Sequence, residues 1–161
     1  MFISTILFNE GLVRKLKGQS YEDYLKELLV NGKAKKEIYN VSASISFNDL
    51  STGCMVHLLD IGNDSVMCLY GQYLYDYEPI DDEPELNQPR KFPTKQFSLI
   101  RRVKDSEVLD IEPGEEVLET VYLDNPEIEK MYDFGFELQD GEIKRQFHFD
   151  KLLTLHSRGT R

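Results

Sequence analysis

Cysteine is scarce in this 161-residue chain: Cys54 and Cys68 are too few for a disulfide scaffold. No apolar stretch approaches about 18 residues, which excludes a membrane-spanning helix. Catalytic and nucleotide signatures are missing as well, with no GxSxG, Walker loop, GxGxxG or HExxH. Positive charge is in short supply. The chain carries 19 Lys and Arg against 29 Asp and Glu, for a formal net charge of −10. That balance argues against a nucleic-acid packager or an anionic-membrane binder, both of which usually carry net positive charge. Met1 to Phe8 is apolar but breaks at Asn9-Glu10, without a leading cationic region or a small-residue cleavage site. A first strand is expected there rather than a secretory signal, and a reducing cytoplasm is the expected compartment.

What is present suffices for one domain. At 40% hydrophobic residues a chain this long can bury most of its apolar surface without staples. Ser20 and Asp23 have the spacing of a capping box, and Gly32 can end the helix between them. Tyr21, Tyr24, Leu25, Leu28 and Leu29 form its apolar stripe, and Leu12 to Lys17 can add a short turn before it. After Gly32 the period changes to two. Val41, Ala43, Ile45 and Phe47 alternate with Ser42, Ser44 and Ser46, which predicts a strand with one polar face.

Two hairpins follow from pairing arithmetic. Around Asn63-Asp64 the expected partners are Ile61–Val66, Leu59–Cys68 and His57–Tyr70, and two apolar faces place this hairpin centrally in a sheet. Around Asp140-Gly141, a type I′ signal, the partners are Leu138–Ile143 and Phe134–Phe147, with Glu137 opposite Lys144. Further strands are expected at Phe97 to Val103, Glu107 to Ile111 and Val117 to Leu123, with a turn at Pro113-Gly114. Asn125-Pro126 fits the cap and first residue of a short helix reaching Tyr132. The fold class is α+β: a strand-rich single domain, residues 1–161, with antiparallel hairpins and one main amphipathic helix near the N-terminus.

Residues 78–94 differ in kind, holding four of the six prolines and the run Asp81-Asp82-Glu83 with Glu85. They read as a long acidic loop within the domain; a linker dividing the chain near residue 85 is the other reading. Charge is segregated around it. Residues 41–89 hold nine acids and no Lys or Arg, and residues 106–142 hold thirteen acids and one Lys.

The candidate binding face is Tyr73, Tyr75, Asp76, Tyr77, Glu78, Asp81, Asp82, Glu83 and Glu85. The three tyrosines are expected to alternate onto one strand face as anchors running into the acid. Carboxylates attract a Lys/Arg-rich protein surface, and tyrosine rings receive its cations. The expected function is a non-enzymatic inhibitor or modulator of a basic partner protein, imitating a nucleic acid if the charges are suitably spaced. Two alternatives remain. Arg90, Lys91, Arg101, Arg102 and Lys104, interleaved with Phe92 and Phe97, can grip phosphates and stack bases. His148 and Asp150, expected on one strand face, can act as an acid–base pair in a hydrolase. No cofactor is expected. Cys54 and His57 fall on opposite strand faces, so zinc is not expected either.

Overall fold

The computed structural model describes residues 19–79 and 88–155. The expected first strand, the turn at Leu12 to Lys17 and the carboxylates Asp81, Asp82, Glu83 and Glu85 lie outside the described residues. Helix α1 spans Tyr21–Val30. Ser20 caps it, its hydroxyl accepting the Asp23 N–H at 3.1 Å, which satisfies one of the donors a helix N-terminus leaves over. At the other end Gly32 turns left-handed at φ +71°. The Lys33 and Gly32 N–H groups then reach back to the carbonyls of Leu28 and Leu29 at 2.9 and 3.3 Å.

Two sheets follow. One has the order β1-β5-β6, from Ala34–Asn40, Gln96–Arg102 and Val108–Pro113, with antiparallel pairing throughout. The other runs β7-β2-β3-β4-β8, from Val121–Tyr122, Ala43–Asp49, Cys54–Gly62, Ser65–Gly71 and Ile143–Arg145. Its pairs are antiparallel except β2 with β7. Short helical pieces complete the order: a 3-10 turn at Gln72–Tyr77, helix α2 at Ile128–Asp133 and a 3-10 turn at Phe149–Thr154. The architecture is mixed helix and strand, dominated by antiparallel pairing. Both sheets take strands from either side of residue 85. No helix among the described residues is long and apolar enough to cross a membrane.

The sheets face each other. Met55, Leu59, Met67 and Leu69 of the larger one pack with Phe97, Leu99 and Ile111 of the smaller, around Phe92 and Leu74. The far face of the larger sheet carries Ile45, Phe47, Val56, Leu58 and Val66 against Met131, Phe136, Phe147 and Leu152. Helix α1 covers the outside of the smaller sheet, Leu25 meeting Ala34 and Ile100. Full burial of each Leu, Met or Phe contributes about 1.5–3 kcal/mol, so these layers carry the fold.

Several local expectations need correction. Asn63 and Asp64 do form the two-residue turn, both at positive φ (53° and 52°) as a type I′ turn requires. A bulge between Asp60 and Gly62 then shifts the register by one. Val66 pairs with Asp60, Cys68 with Leu58 and Tyr70 with Val56, so His57 lies opposite Leu69 and not Tyr70. The serine face of β2 is not solvated. Ser44 and Ser46 lie at 3% and 0% exposure, and both hydroxyls hydrogen-bond to that of Thr120.

The Asp140-Gly141 hairpin is absent. Ile143–Arg145 pairs with β4 instead, and residues 136–142 form no strand. Tertiary bonds have replaced the ladder, for Asp140 and Gly141 both bind groups far away in the chain. Phe134 and Phe147 still meet, at 6.0 Å between centroids, but by packing. The second helix starts at Ile128 with Glu127 at its cap, since Asn125 adopts a left-handed φ of 47°. Of residues 117–123 only Val121–Tyr122 is a strand.

Candidate functional site

Tyr73, Tyr75 and Tyr77 do not form a strand ladder. Strand β4 ends at Gly71, and the tyrosines sit on the 3-10 turn. With three residues per turn, positions two apart are rotated by about 240°, so the rings diverge. Tyr73 folds back over Gly71, where a Cβ would stand 2.7 Å from its ring carbons; glycine permits that approach. The phenol of Tyr73 donates to both Asp140 oxygens at 2.9 and 3.1 Å, that of Tyr75 to Asn48 at 2.9 Å, and that of Tyr77 to the Ile111 carbonyl at 3.4 Å.

Two of the three tyrosines also line a cleft. This cleft, of about 270 Å³, is lined by Tyr73, Asp76 and Tyr77 from the turn, Tyr21 from α1, and Val108, Leu109 and Asp110 from β6. Helix α1 reaches it because its stripe rests on the outside of the β1-β5-β6 sheet, where the Tyr21 phenol donates to the Leu109 carbonyl. Each phenol proton therefore points at a protein acceptor, and the cleft is offered ring surface, phenol lone pairs and two carboxylates. Among the described residues, none of the lining side chains is a cation.

The electrostatics agree with that composition. Burial pushes Asp110 above the ordinary carboxylate range, and the carboxylates of Glu112 and Glu22 add to it against the Ile111 N–H. Tyr77 is pushed up to about 12 by burial and then by Asp110 and Asp76. Asp140, beneath Tyr73, is raised by burial although the Tyr70 N–H and the Tyr73 hydroxyl hydrogen-bond to it. Burial thus opposes the ionised form of Asp110 at the cleft, an opposition that an entering cation would offset.

No family model, curated protein or solved structure matches this chain.

The remaining candidates fall elsewhere. Glu78 turns away from the cleft to accept the Tyr122 hydroxyl at 3.1 and 3.2 Å. Arg90 lies over the Tyr122 ring at 5.9 Å and donates to the Leu118 carbonyl at 2.8 Å. Arg101 and Arg102, at 7% and 5% exposure, hold the fold together. Arg101 pairs with Glu37 at 2.8 Å and donates to the Gly141 carbonyl at 2.6 Å, while Arg102 pairs with Asp105 at 2.8 Å and with Glu107. Only Lys91 and Lys104 of the basic set stand exposed. His148 caps the final 3-10 turn and meets Asp64 at 3.1 Å instead of sharing a strand face with Asp150.

Sequence reasoning misses a buried polar chain. Ser46 Oγ lies 2.6 Å from His57 Nδ1 and 2.8 Å from Thr120 Oγ1, which donates to Ser44 Oγ at 2.8 Å. Burial, then the Arg90 charge, pushes the imidazole down to about 3, so it is neutral. Ser46 and His57 have the spacing of a nucleophile and its base, but both are fully buried between the sheets. Among the described residues no group of His, Cys, Asp or Glu is placed to hold a metal ion. The sequence signal for the chain is Ser44 and Ser46 opposite an apolar strand.

Proposed function

We propose that this protein works by binding: the cleft of Tyr21, Tyr73, Asp76, Tyr77 and Asp110 receives a cationic side chain from a basic protein partner. The observation that carries this reading is the convergence of three aromatic rings and two carboxylates, from three separate elements, on one cavity that has no cationic side chain among the described residues. A cation entering it gains both ring and carboxylate attraction, each strengthened where water is displaced. The formal net charge of −10 attracts a basic surface toward the protein as a whole. The protein then acts as a competitor, occupying a surface its partner would use for another anion such as nucleic acid. A cytoplasmic setting is part of the same proposal.

Calorimetric titration with an alternating Arg–Lys octapeptide tests it. The double variant Asp76→Asn/Asp110→Asn is compared with Glu115→Gln/Glu119→Gln, which removes the same charge elsewhere. The expected result is a loss of about tenfold or more, equivalent to about 1.4 kcal/mol, for the cleft variant alone. Equal losses in both variants would reduce the interaction to unspecific attraction and sink the reading.

A further inference from the structure

We infer that the cleft selects arginine over lysine, a specificity that rests on the binding reading above. The cavity, about 270 Å³, lies just below the range of small-molecule pockets and suits one inserted side chain. Its chemistry narrows which one. The phenol protons of Tyr21, Tyr73 and Tyr77 are directed to Leu109, Asp140 and Ile111, so those side chains present lone pairs and ring faces to an occupant. Asp76 and Asp110 add carboxylate acceptors. An occupant must therefore bring several donors at once.

A guanidinium carries five N–H donors in a plane, stacks on aromatic faces and is weakly hydrated, so it gives up little on entering. An ammonium is a compact, strongly hydrated charge with three donors, and a ring-lined cleft replaces its water poorly. The bonds that fix the rings also help selection. Tyr73 is held on Asp140 and Tyr77 on the β6 backbone, so a flat group meets walls already in place.

Three otherwise identical Gly/Ser peptides with a central Arg, Lys or citrulline test this. Citrulline keeps the shape of arginine and removes its charge. Binding is read by NMR from the ring protons of Tyr21, Tyr73 and Tyr77. The expected order is Arg about tenfold tighter than Lys, with citrulline weaker still. Lys binding as tightly as Arg would overturn the selectivity while leaving a cation-binding cleft. Citrulline matching Arg, or no peptide moving these rings, would overturn both. Tyr77→Leu is expected to weaken the Arg peptide at least fivefold and Tyr132→Leu, on α2, to change it less than twofold. If Tyr77→Leu fails to fold, Asp110→Asn provides the same readout by losing the preference for Arg over citrulline.

Discussion

The Tyr73 hydroxyl and the Asp140 carboxylate, 67 positions apart in the chain, meet at 2.9 Å. The contact fastens the tyrosine turn to the segment between α2 and β8, and it brings one wall of the cleft into place. Asp140 also accepts the Tyr70 N–H at 2.9 Å, so its loss leaves two donors unsatisfied. Asp140→Ala is expected to lower stability by about 1–3 kcal/mol, read from urea unfolding, and Tyr73→Phe by less. Equal stability of Asp140→Ala and the parent would show that the contact is incidental.

Arg101 makes a different prediction. It joins Glu37 on β1 to the Gly141 carbonyl and also donates to Ser106 at 3.2 Å, from a buried position. Arg101→Met is expected to destabilise by about 3–5 kcal/mol, because it strands Glu37 and a carbonyl beside the core. Arg101→Lys is expected to recover only part, since an ammonium cannot span the same partners. Denaturant midpoints of the two variants decide it.

His57 sets an acid limit. Its pKa is about 3 in the fold against 6.5 for a free imidazole. Between those values the unfolded chain binds more protons, so the contribution of this group is present above pH 6.5 and is lost as pH falls toward 3. Each tenfold difference in proton affinity between the folded and unfolded chain is worth about 1.4 kcal/mol, so several kcal/mol are at stake. Unfolding free energies at pH 7 and pH 4 should therefore differ less in His57→Gln than in the parent. Parallel pH dependence in both would contradict a buried neutral imidazole.

Asp110 behaves in the opposite sense. Its carboxyl is raised, so the fold disfavours its ionised form at neutral pH and Asp110→Asn should stabilise the free protein. Half-exposure discounts the effect to about 1 °C in Tm for a chain of this size. The same variant should bind a basic peptide more weakly. A substitution that stabilises while weakening binding marks a group kept for the site; one that lowers both would make Asp110 a structural residue.

The sequence is legible wherever the information is local. The Ser20 cap and the Asn63-Asp64 turn are each written in a few consecutive residues. The register beyond that turn is legible only through Gly62, the left-handed glycine (φ 84°) at the bulge, which simple pairing arithmetic passes over. Alternation gives β2 its serine face but cannot tell water from a covering layer, and here Ser44 and Ser46 are buried. Asp140-Gly141 carries a strong turn signal and the turn forms, the Glu142 N–H meeting the Gln139 carbonyl at 3.2 Å, but bonds to Tyr70, Tyr73 and Arg101 take the place of the hairpin's ladder. At the site, Tyr73, Asp76 and Tyr77 are readable as unusual residues. Their companions Tyr21 and Asp110 are not, since they arrive through the packing of α1 and β6.

The central claim concerns where a basic ligand sits, and backbone amide shifts answer that directly. The parent protein would be titrated at low salt with the alternating Arg–Lys octapeptide and, separately, with a short DNA duplex. The account predicts that the peptide moves the amides of Tyr73 to Tyr77 and Val108 to Asp110 while the duplex moves none. Peptide shifts confined to other surfaces, or duplex-induced shifts at Lys91 and Lys104 that collapse as salt rises, would contradict it.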